Sequence, residues 1–116
     1  MPGRVLIADD SPVVRLSVSK RVRAEGREVI DRDSAASASA VDAGDLACAL
    51  LDLDLGDGFG TDVAARLLAT HEGLPIAFFT SETTADVLAR AADFGPVFAK
   101  PGGIDEAVAW VRKNSE

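Results

Sequence analysis

The sequence predicts one α/β domain, a doubly wound five-stranded parallel sheet with helices on both faces. Three observations predict it. Five short apolar runs alternate with segments of helical periodicity along the chain. The middle run, 46–51, is continuously apolar, as a strand buried on both faces must be. Four of the runs lead directly into residues that can do chemistry: Asp9-Asp10, Asp52, Thr80 and Lys100. In a parallel sheet all carboxyl ends point the same way. These residues, distant in sequence, are therefore expected at one rim, where open α/β sheets place their sites.

Residues 4–8 (Val5-Leu6-Ile7-Ala8) read as the first strand. Ser11 suits an N-cap and Pro12 the first helical position. Val14, Val18 and Val22 then recur every four residues, so a helix is expected to about Glu25, with Gly26 as its stop. Residues 28–35 form a weaker strand near an edge, and 36–43 a short alanine-rich helix closed by Gly44. The third strand is expected over 46–53 and a loop over 56–60. A helix follows over 61–72 with Val63, Leu67 and Leu68 inward, ended by Gly73. The fourth strand, 75–80, ends on the hydroxyls of Thr80-Ser81. A helix over 84–93 turns Val87, Leu88 and Ala91 inward. Val97-Phe98-Ala99 is a short fifth strand leading to Lys100-Pro101. The last helix, 104–114, faces Ile104, Val108 and Val111 inward.

Composition narrows the function. At 116 residues the chain is one domain, 1–116. Its net charge of −7 argues against direct nucleic-acid binding, although Arg4, Arg15, Lys20, Arg21, Arg23, Arg27 and Arg32 crowd the first third. Cys48 is the only cysteine, which excludes an internal disulfide and fits a reducing cytoplasm; it reads as a small buried hydrophobe. The start, Met1-Pro2-Gly3-Arg4, does not resemble a leader. No window is apolar enough for membrane insertion.

Three carboxylates in one crevice repel one another and call for a cation. With oxygen donors alone and no nearby histidine or cysteine, the set suits Mg²⁺, with Mn²⁺ as the alternative. A lysine and a threonine beside such a centre make sense if a phosphoryl group arrives. Asp52, in the middle of the sheet, is the best-placed nucleophile.

Asp-Asp-Ser-Pro at 9–12, Leu-Leu-Asp-Leu-Asp at 50–54, Gly60, Thr80-Ser81 and Lys100-Pro101 stand in the order and at the spacing of one family. Over its whole length the chain resembles the receiver domain of two-component response regulators, of the stand-alone type. The resemblance implies a flavodoxin-like fold with strand order 2-1-3-4-5. It implies that Asp52 is phosphorylated by a histidine kinase or histidine phosphotransfer protein. Asp10 and Asp52 would ligate Mg²⁺, Asp9 through water and Asp54 through its main-chain carbonyl. Lys100 would bridge the acidic residues and then the phosphoryl oxygens, Thr80 would move toward the phosphoryl group, and Pro101 would follow a cis bond. Such a protein is a switch rather than an enzyme, catalysing only its own phosphotransfer and autodephosphorylation. Its output is expected through a downstream protein bound on the face from Thr84 to Arg112.

The chain departs from the family pattern in places. Gly56 stands where proline is usual, which is expected to make the loop more mobile. Asp54 and Glu82 flank the phosphoryl site and are both acidic, so they are expected to alter the lifetime of the phosphoaspartate. Val97 replaces the usual aromatic partner of the switch, and Phe98 should face the other way. Among residues outside the motifs, His71 is expected to be solvated, and Trp110 either to contact a partner or to cover the sheet edge. The first-helix arginines are a solvated face or a phosphodonor contact. Two rival functions remain. One is a pseudo-receiver that binds partners without phosphorylation. The other is a small haloacid-dehalogenase-like phosphatase, which the motif order disfavours.

Overall fold

The computed structural model describes residues 3–116, so Met1 and Pro2, on which the leader reading partly falls, lie outside the described residues. Five strands form one parallel sheet: β1 (Arg4–Ala8), β2 (Val29–Arg32), β3 (Leu46–Leu51), β4 (Ile76–Thr80) and β5 (Val97–Ala99). Their order is β2-β1-β3-β4-β5. Five helices connect and follow them: α1 (Pro12–Ala24), α2 (Ala35–Ser39), α3 (Gly60–Thr70), α4 (Ala85–Ala92) and α5 (Ile104–Asn114). Among the described residues no helix is long and apolar enough to cross a membrane.

The sheet divides the core into two layers. On one side Val5, Ile7, Cys48, Leu50 and Phe79 pack with Val18 and Val22 of α1 and Ala107 and Val111 of α5. On the other, Leu6, Leu51, Ile76 and Phe78 pack with α2, α3 and Ala91 of α4. Alternation along each strand assigns the side chains, and helices on both faces explain why β3 carries no polar residue until it ends. Val97 packs with the second layer and Phe98 with the first, as alternation requires. Trp110 is half-buried against the α1–α5 layer.

Local signals account for most boundaries. Ser11 is extended and its hydroxyl accepts from Val14 N at the start of α1, with Pro12 at the first position. Gly26 (φ 81°) and Gly73 (φ 85°) take the left-handed conformation after α1 and α3. Four expectations are corrected. The third strand ends at Leu51, not Leu53, because the chain leaves the sheet once Asp52 N has bonded to the Ala8 carbonyl. The second strand spans only Val29–Arg32. The alanine-rich helix stops at Ser39, and Gly44 lies inside a separate 3-10 turn, Ala43–Asp45, that Asp42 caps. His71 is half-buried, and its Nδ1 lies 2.7 Å from the Ala43 carbonyl, tying the end of α3 to that turn.

One clasp joins the α1–β2 turn to the end of α5. The Arg27 guanidinium donates to Glu25 O (2.8 Å), Ser115 Oγ (2.9 Å) and Arg112 O (3.0 Å). Buried Ser115 in turn donates to Val111 O, and Arg112 pairs with Glu25 at 3.2 Å. The residues before β2 thereby hold the last turn of α5.

Candidate functional site

The carboxyl ends of β1, β3, β4 and β5 bring the expected residues to one rim. Asp10, Ser11, Asp52, Asp54, Thr80, Ser81, Glu82 and Lys100 line an open cleft of about 350 Å³. Asp9 lies beneath it, 3% exposed, and Asp52 is 7% exposed, whereas Asp10 is open to solvent. One carboxylate oxygen from each of Asp9, Asp10 and Asp52 lies within 4.8 Å of the others. Three hard oxygen donors at this spacing, two of them buried, fit a hydrated divalent cation such as Mg²⁺.

Lys100 Nζ sits 2.8 Å from Asp9 Oδ2 and 3.0 Å from Asp52 Oδ2. It also stands 5.8 Å from the centre of the Phe79 ring. Burial works against its charge, yet the hydrogen bonds to Asp9 and Asp52 outweigh burial and hold its pKa above the ordinary value. For Asp9 the balance falls the other way. Burial lifts its pKa, and the bonds from Lys100 and from Ser11 N only partly oppose this. A carboxyl that resists ionisation beside a fixed lysine is a group whose charge a further cation would favour.

The neighbouring loops turn their own polar groups inward on themselves. Asp54 Oδ1 accepts from Gly56 N at 3.0 Å. Glu82 Oε1 accepts from Thr83 N (3.0 Å) and Thr84 N (2.8 Å), and the bond from Thr84 is the largest cause of its lowered pKa. Thr80 Oγ1, buried, accepts from Glu82 N at 3.1 Å. The two acidic side chains expected to tune the site are thus both held by nearby backbone.

Val97 and Pro101 lie away from the cleft. Val97 packs into the layer facing α2, α3 and α4, and Pro101 is exposed after a cis peptide bond from Lys100. The structure also reveals contacts the sequence reading passed over. Arg15 Nη1 donates to Asp9 O at 3.0 Å, fixing α1 against the end of β1. Asp57 reaches out of the β3–α3 loop, its Oδ1 accepting from Ala35 N (2.7 Å) and its Oδ2 from Ala36 N (3.0 Å). The available signal was an acidic residue within a glycine-rich turn, but its partner was invisible without the fold. Gly60 is required at its place: a Cβ there would lie 2.1 Å from the Asp52 carbonyl oxygen.

The chain is similar to known proteins. A family model described as the response regulator receiver domain matches residues 5–112. The probable transcriptional regulatory protein TcrX of Mycobacterium tuberculosis is 31% identical over 116 residues, covering 96% of this chain and 49% of that protein. The transcriptional regulatory protein PdtaR of the same organism is 28% identical over 114 residues, covering 93% and 54%. The chain therefore spans about half the length of the curated relatives it matches. Among solved structures, the non-phosphorylated HemR receiver domain from Leptospira biflexa superposes with a TM-score of 0.85 at 20% identity, covering 98% of this chain and 94% of that one. A CheY-like receiver domain protein from Methanospirillum hungatei gives 0.82 at 20% identity, covering 97% and 93%. At that identity the structures speak for the flavodoxin-like fold alone, while the family model speaks for the sequence: the chain belongs to the response regulator receiver family.

Proposed function

We propose that residues 1–116 act as one phosphoacceptor module that takes a phosphoryl group onto Asp52 from a histidine kinase or a histidine phosphotransfer protein. The observation that carries this reading is Lys100 Nζ held between Asp9 and Asp52 at the mouth of a cleft that also presents Thr80. A Asp52 carboxylate oxygen forms the new P–O bond while the P–N bond of the phosphohistidine breaks, and its electron pair leaves with the imidazole nitrogen. Lys100 balances charge at the acceptor and is positioned to bond the incoming phosphoryl oxygens. The Thr80 hydroxyl, which accepts from Glu82 N, is free to donate to a phosphoryl oxygen. Asp10, Asp52 and the Asp54 main chain would hold Mg²⁺, with Asp9 reaching it through water. When bound, the ion supplies positive charge opposite the phosphoryl oxygens.

Signalling follows from a shift between two shapes that phosphorylation biases. Thr80, Ser81 and Glu82 form the moving loop, and a downstream protein reads the face from Thr84 to Arg112. The response-regulator matches support this reading over the small phosphatase. They accord with a cytoplasmic setting, and the acidic balance keeps nucleic acid from being a direct partner of this domain.

Incubation with acetyl phosphate and Mg²⁺, read by intact mass, tests it. The expected result is the gain of one phosphoryl group, abolished in Asp52→Asn and by chelating the metal. No gain with Mg²⁺ or Mn²⁺ would leave the pseudo-receiver, a partner-binding module independent of phosphorylation.

A further inference from the structure

The β3–α3 loop, residues 52–60, raises a problem of support. It carries Asp54, whose main chain is assigned to the cation in the reading above. Gly56, at φ 81°, lends it no stiffness. Its internal bonds, Leu55 N to Gly58 O and Gly60 N to Leu53 O, close the turn without saying where it lies. Two features fix it from outside. Leu53 and Leu55 are each 2% exposed and pack into the α2–α3 layer. Asp57 bonds both oxygens to Ala35 N and Ala36 N, the first amides of α2.

We infer that Asp57 is a positioning residue for the cation site: by pinning residues 55–58 to α2 it sets where the Asp54 main chain lies. The inference rests on the metal-dependent reading. α2 is a firm anchor, because Ala35 and Ala38 are buried in the core. Contact is close beside the bond as well, since a Cβ at Gly58 would lie 2.9 Å from Ala35 Cβ. The carboxylate has both oxygens engaged, so either a shorter side chain or an amide weakens the hold. The ordinary stiffening device at this loop would be a ring that restricts φ. Here a side chain that bonds across the fold does that work.

Calorimetric titration of the full chain with MgCl₂ tests the inference, comparing wild type with Asp57→Ala, Asp57→Asn and Ser34→Ala. Phosphoryl uptake from acetyl phosphate is followed in parallel at limiting and saturating Mg²⁺. Asp57→Ala is expected to raise the Kd for Mg²⁺ on the order of 10-fold. Uptake slows at limiting Mg²⁺ and recovers at saturation. Asp57→Asn, which keeps one acceptor oxygen, falls between. Ser34→Ala removes a different bond of α2, the one from Ser37 N, touches neither Asp57 nor its two amide partners, and leaves the Kd unchanged. An unchanged Kd in both Asp57 variants, or an equal loss in Ser34→Ala, overturns the inference and leaves the phosphoacceptor reading standing. A wild type that binds neither Mg²⁺ nor Mn²⁺ overturns both.

Discussion

The two loops that flank Asp52 are built on opposite plans. The β3–α3 loop is anchored to parts of the fold beyond itself: Leu53 and Leu55 are buried and Asp57 grips α2, while Gly60 is pressed onto the Asp52 carbonyl within the turn. The β4–α4 loop bonds chiefly to itself. Glu82 caps Thr83 and Thr84, its own amide rests on Thr80, and Ser81, Thr83 and Thr84 are exposed. The helix it leads to is lightly held, with Ala91 as its one buried residue. Segments with few buried contacts and local bonds open at low cost, whereas anchored ones open only with the domain. On the proposed phosphoacceptor reading, one loop is suited to hold the reacting group still and the other to move in response to it.

The largest expected effect falls at Gly60. Gly60→Ala drives a methyl group into the Asp52 carbonyl, and backbone cannot yield as a side chain can. The expected loss is about 3 kcal/mol, seen as a fall in the urea midpoint. Gly56→Ala tests the same loop more gently. It forces a side chain into left-handed backbone at φ 81°, with no close contact but the Asp10 carboxylate at 3.8 Å, and should cost about 1–2 kcal/mol.

Acid separates the two loops further. Asp57 and Glu82 both have pKa values lowered by backbone hydrogen bonds, to Ala35 and to Thr84 first of all. A lowered folded-state pKa adds stability above the unfolded value and loses it as pH falls through the folded one. Both contributions therefore fade below about pH 4. Asp57→Asn and Glu82→Gln should each flatten the rise of stability with pH in that range, measured by urea unfolding. Only the first should loosen contacts beyond its own loop, read as faster amide exchange at Ala35 and Ala36. The smallest effect is expected at Thr80. Thr80→Val removes the acceptor for Glu82 N and should quicken exchange of that amide with little change in the unfolding midpoint.

Much of this was legible in sequence, for reasons particular to each residue. Asp9, Asp52, Thr80 and Lys100 could be placed together because each ends an apolar run, and parallel strands share a direction. Val14, Val18 and Val22 announced α1 by their spacing, and Ser11-Pro12 its start. The stub of α2 was harder: alanines signal a helix without saying how long, and Asp42 restarts the chain as a separate turn. Asp57, Arg15 and His71 were out of reach because each bonds to backbone 6 to 28 residues away. A main-chain partner has no side-chain identity for a motif to record. Glu82 could be read as an acidic side chain flanking the site, but its bonds from Thr83 N and Thr84 N could not, for the same reason.

The clasp at Arg27 has a mechanical meaning. Pulling the last turn of α5 away from the sheet requires breaking the bonds from one guanidinium to Arg112 O and Ser115 Oγ. The same group is braced on Glu25 O, at the turn before β2. A load applied to the end of α5 is therefore carried to the opposite edge of the sheet instead of peeling the helix from its C-terminus. Whatever grips that helix moves it against the whole domain.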